Sequence, residues 1–106
     1  MLPNGMLPPE DVIASRELCV TDSAETVLVQ IGRPTAVSNS EAKCSYRLVY
    51  RGNAEGMNIS GVDSFQALQL ALKALPIELR HRQSLPLGQM YYLEPGDDMG
   101  FPEVSE

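Results

Sequence analysis

The densest group of side chains able to do chemistry is acidic. Asp97 and Asp98 stand together with Glu94 three residues before them. Paired carboxylates bind hard cations such as Ca²⁺ or Mg²⁺, or divide acid and base roles between them. Here they follow Pro95-Gly96, a turn signal in its own right, and no EF-hand spacing surrounds them. Basic residues cluster elsewhere: Lys43, Arg47 and Arg51 fall within nine residues that hold no acid. Spaced four apart on one strand they share a face, which makes them a candidate binding surface for a charged protein partner. The lone histidine, His81, sits between Arg80 and Arg82, two cations that disfavour its protonated form.

Other chemistries lack their parts. There is no phosphate loop of either glycine-rich type, and no serine lies in a Gly-x-Ser-x-Gly elbow. Cys19 and Cys44 are not spaced as metal ligands, and with His81 they supply three of the four ligands a structural zinc needs. Both read as small apolar strand residues kept as thiols in the cytoplasm. No catalytic residue, metal site or cofactor is implied.

Charge and length set the frame for these groups. The chain has 106 residues and a net charge of −6, with 43% hydrophobic and 21% charged residues. That is globular composition for one domain. Its acidity argues against nucleic acid as partner. No apolar run approaches the roughly 20 residues that cross a bilayer, and the start of the chain lacks a basic secretory leader. Five of the 14 acids fall in the last 13 residues, so the charge is segregated rather than uniform.

The elements that must position these groups follow from periodicity. Residues 1–14 are rich in proline and read as a flexible arm, with Met1, Leu2, Met6 and Leu7 able to dock. Alternation predicts strands over Arg16–Thr21, Glu25–Ile31 and Lys43–Arg51, a polar loop over Thr35–Ala42, and a short strand over Gly56–Ser60. At Asp63 the period changes to that of a helix, with Gln66 placed to complete a capping box. Phe65, Leu68, Leu72, Leu75 and Leu79 form one continuous stripe, widened by Ala67, Leu70, Ala71 and Ala74. Pro76 should end or kink that helix near Leu75. Met90–Leu93 gives a last strand, and residues 103–106 an acidic tail. The expected fold is α+β: a four- to five-stranded, mainly antiparallel sheet with one long amphipathic helix on one face, in the order β-β-β-β-α-β, within a domain over 15–102.

Four segments resemble a family of small bacterial proteins known as a domain of unknown function. They are Ile31–Pro34, Cys44–Leu48, Gly61–Leu72 and Asp97–Pro102. The resemblance implies a single α+β domain of bacterial origin and carries no activity. Pro76 departs from the family pattern.

The residues thus favour a non-enzymatic protein-interaction or regulatory module, immunity-like in kind, over a small enzyme or ligand- and cation-binding protein built on Asp97 and Asp98 with Asp63 or Arg47. On the charged-face reading, reversing Arg47 and Arg51 to glutamate abolishes partner capture in a pull-down without unfolding the domain. Retention of every partner would count against it.

Overall fold

The computed structural model describes residues 5–81, 90–92 and 101. Six strands form one antiparallel sheet: β1 (Val12–Val20), β2 (Thr26–Gly32), β3 (Thr35–Ser38), β4 (Glu41–Tyr50), β5 (Asn53–Gly61) and β6 (Met90–Tyr91). Among the described residues the one α-helix, α1 (Ser64–His81), lies between β5 and β6 in the chain, and a single 3-10 turn, Pro9–Asp11, precedes β1. The α+β class and the single helix match expectation, with one strand more. Strand β4 is the hub, pairing with β5 along one edge and with β2 and β3 in succession along the other. β1 lies beyond β2, and β6 beyond β1.

The extra strand is β3, where a polar loop was expected. All four of its side chains are exposed, so it shows no hydrophobic alternation to read. It continues the edge begun by β2 after a bulge: Gly32, Arg33 and Pro34 oppose only Cys44 and Ser45. A bulge is one of the few places in a sheet where proline's missing N–H is tolerated. The Cys44 thiol donates to the Gly32 carbonyl there at 3.5 Å. Between β4 and β5 the turn is Arg51-Gly52, both at positive φ (51° and 79°), flanked by the Tyr50–Asn53 pair. Two such residues make the primed turn whose twist matches a hairpin, so Arg51 belongs to the turn and not to the strand.

Leu18, Val27, Val29, Ile31, Cys44, Tyr46 and Leu48 are buried on the face covered by α1. The helix packs on β4 and β5, and the residues it buries are Ala67, Ala71, Leu75, Pro76 and Leu79. This corrects the expected stripe: Phe65 is 70% exposed and Leu72 48%. The cause is the tight junction at Gly61, where a Cβ would lie 2.5 Å from the Ala67 backbone nitrogen. Only small side chains allow so close an approach at that end, so Ala67 and Ala71 turn inward there and Phe65 and Leu72 turn to the flank, while Leu75 and Leu79 reach the core farther along.

The cap forms as expected. The Gln66 N–H donates to Asp63 Oδ1 and the Val62 N–H to Gln66 Oε1, each at 2.8 Å. The expected stop at Pro76 does not occur. Leu79 is buried beyond it, and the Tyr46 hydroxyl donates to Glu78 Oε1 at 2.8 Å. Those contacts offset the bond that proline removes from the helix.

The segment before β1 lies across the opposite face of the sheet. Gln30 is only 4% exposed; the Leu7 N–H donates to its Oε1 (3.1 Å) and its amide donates back to the Leu7 carbonyl (3.4 Å). Beside it, Arg47 Nε donates to the Gly5 carbonyl at 3.1 Å. β1 begins at Val12, within the stretch expected as arm.

Replacing Asp63 with alanine should lower unfolding free energy by about 1 kcal/mol, the usual worth of a side-chain cap. Urea denaturation of the Asp63→Ala variant checks this, and an unchanged midpoint would contradict the capping role.

Candidate functional site

The structure separates the residues that the sequence offered as site candidates. Lys43 is exposed on β4. Arg47, on the same outer face, is spent on the fold: besides Gly5 it donates to the Tyr46 and Met57 carbonyls (2.8 and 3.3 Å) and to Asn58 Oδ1 (3.2 Å). Arg51, in the β4–β5 turn, holds Glu25 through two bonds of 2.6 and 2.8 Å and leans on the Tyr50 ring. That pairing lowers the Glu25 carboxyl below its ordinary value and raises the Arg51 guanidinium, in both cases chiefly through the shared hydrogen bonds.

Asp63 caps one end of α1, while His81 is exposed at the other. Eighteen helical residues hold them about 27 Å apart, so they do not converge. Asp97 and Asp98 lie outside the described residues. Among the described residues no three of His, Cys, Asp and Glu gather as a metal-holding group. Cys19 and Cys44 are both free thiols, and β2 lies between their strands. Burial pushes the Cys44 thiol pKa up, which makes it inert. The Tyr91 phenol, register partner of Cys19, is also raised, first by burial and then by Cys19 and Asp22.

What the structure does assemble is a groove between α1 and the β1–β2 half of the sheet. Because the helix sits over β4 and β5, its Leu72 flank faces the uncovered floor of β1 and β2. Ala14, Ser15, Arg16, Val29, Ile31, Leu72 and Phe101 line a cavity of about 250 Å³ there. Arg16 pairs in register with Val29, placing its side chain among core-facing neighbours. Its guanidinium carbon lies 4.1 Å from the Tyr92 ring centroid and 5.0 Å from that of Phe101. A guanidinium stacked on aromatic faces is held in one orientation by cation–π attraction. The groove is therefore apolar with one oriented cation at its wall, and Phe65 stands exposed on the same helix flank.

Neither Arg16 nor Leu72 was among the site candidates. A signal existed for Arg16: alternation through Leu18 and Val20 puts it on the core face, where a charge is out of pattern. Leu72 gave none, since its exposure follows from the contact at Gly61.

A family model described as a domain of unknown function (DUF6968) matches residues 14–103. The chain belongs to this family. Among the described elements the match takes in β2 to β6, α1 and all of β1 but Val12 and Ile13, and it leaves the segment pinned by Gln30 and Arg47 outside the DUF6968 domain. No curated protein matches the chain, and no solved structure does. No described helix is long and apolar enough to cross a membrane.

The Glu25–Arg51 pair gives a pH dependence of definite sign. Glu25 is depressed below 4.5 in the folded chain, so its contribution is complete above that value and is lost as pH falls through the folded value. The melting-temperature difference between wild type and Glu25→Gln should therefore shrink between about pH 6 and about pH 3. A constant difference across that interval would exclude the pair as its source.

Proposed function

We propose that this DUF6968 domain is a non-enzymatic interaction module that binds a protein partner in the groove between α1 and β1–β2. The observation that carries this reading is the apolar helix flank beside a shaped cavity: Leu72 is exposed at the wall of a recess of about 250 Å³ floored by Val29 and Ile31, and Phe65 is exposed about two turns away on the same flank. Monomeric proteins rarely leave large apolar side chains contiguous with a pocket without a use for them. An apolar anchor from the partner fits the recess, whose wall holds Arg16 stacked on two aromatic rings.

This shifts the weight of the expected binding surface. Of the cationic candidates Lys43, Arg47 and Arg51, the first is exposed, while the other two hold the chain's own groups. Charge reversal at Arg47 removes the bonds that pin the Gly5 carbonyl and Asn58, so that variant tests folding together with binding. Lys43 with Asp97 and Asp98 stays in the proposal as charged surroundings that speed encounter. A bacterial cytoplasmic setting belongs to the same reading, and two free thiols suit a reducing compartment.

The test is a comparison of wild type with a Phe65→Ala/Leu72→Ala variant. Partners are captured from the native cell and identified, and the purified pair is titrated by calorimetry. Both side chains are exposed, so the fold should persist by circular dichroism while affinity drops tenfold or more. Undiminished affinity in a folded variant would overturn the groove as the binding site.

A further inference from the structure

The outer face of the sheet, opposite the groove, carries a second seat, and the chain's own segment before β1 occupies it. Gln30 is 4% exposed, and its carboxamide makes two bonds with the main chain of Leu7. One residue of a strand bonds its antiparallel partner in the same way, so this side chain reads backbone and not side-chain identity. Arg47 takes the Gly5 carbonyl two residues earlier. Arg33 takes the Glu10 carbonyl through Nη2 at 3.3 Å and the Asp11 carbonyl through its main-chain N–H at 2.7 Å. One side chain of the occupant is selected: a Cβ on Gly32 would lie 3.2 Å from Leu7 Cδ1, so the missing Cβ leaves a notch for an aliphatic group. Beside Gln30 a recess of about 360 Å³, bordered by Pro9, Ile13 and Leu28, stays open.

This occupant is exchangeable on two grounds. No residue from 5 to 11 is buried, so the segment leaves the sheet at little cost in apolar contact. Gln30, Gly32, Arg33 and Arg47 all lie within the family match at residues 14–103, whereas residues 5–11 lie outside it. The seat belongs to the domain and its occupant does not. We propose that this seat is a docking site for an extended peptide of a partner protein, read through its main chain with an aliphatic residue over Gly32, and that residues 5–11 are an internal occupant which that peptide displaces.

The full chain and a synthetic peptide of residues 5–11 test this. In wild type the tethered segment competes with the peptide at an effective concentration on the order of millimolar. Leu7→Pro removes the N–H that donates to Gln30 and the side chain over Gly32, so this variant should bind the peptide roughly tenfold or more tightly than wild type does. Magnetic resonance should show the Gln30 and Arg47 side chains shifting on binding. No binding to a folded Leu7→Pro chain, or binding that leaves Gln30 unmoved, overturns the proposal. Leu7→Asp in the peptide should weaken binding by about tenfold or more, and equal affinity refutes the notch. If Leu7→Pro does not fold, Leu7→Gly, which keeps the N–H, takes its place with the same expectation and the same refutation. In wild type the Leu7 amide should exchange with solvent roughly tenfold faster than the β2 amides bonded to β4. Equal rates would mean that the segment leaves only when the sheet unfolds, which overturns its displacement. Contacts between Leu7 of one copy and Gln30 of another, seen in isotope-mixed samples, would give the seat to a second copy and overturn a foreign peptide.

Discussion

The close approach of α1 to the end of β5 governs the rest of this structure. At Gly61 the chain leaves the sheet and enters the helix within a few residues, and the Ala67 backbone occupies the space a Cβ would need. Near that junction only small side chains fit directly inward, and Ala67 and Ala71 take that position, while Leu75 and Leu79 reach the core farther along the helix. Phe65 and Leu72, which a more distant helix would bury, are left on its flank. That flank borders the groove over β1 and β2. The groove assigned to a partner thus originates in one steric contact between backbones.

β4 turns that contact into a fixed geometry. It is bonded along both edges, and the buried Tyr46 ring at its centre carries a hydroxyl that reaches Glu78 in the last turns of α1. The helix is thereby held at both ends, by the cap and Gly61 at its start and by Tyr46 and Leu79 near its finish. Pro76 is tolerated between these anchors because tertiary packing, rather than the intrahelical ladder, decides where a helix of this size stops.

Strand alternation in Glu25–Ile31 and Lys43–Arg51 was readable because each has one wet face, and the cap at Asp63 because its chemistry is local. β3 was not readable, since four exposed residues carry no period. The helix was legible as a helix but not in its rotation: leucine periodicity marks an apolar arc, while the choice of inward residues depends on a glycine three residues before the helix. Arg16 was legible as a residue out of place, but its aromatic neighbours come from the far end of the chain. Arg47 and Arg51 were legible as cations, and their spacing could not show that one is spent on backbone carbonyls and the other on Glu25.

The attachment of the segment before β1 has an evolutionary side. Gln30 and Arg47 grip Leu7 and Gly5 through main-chain atoms only. Such a clasp reads the path of the peptide and is indifferent to most of the side chains it carries. Apart from Gly5, which is held at positive φ against Ala54, this segment can thereby drift in sequence while keeping its seat, as long as the glutamine and arginine on neighbouring strands are retained. A stretch outside the family match is, in three dimensions, held by two residues far from it in the sequence.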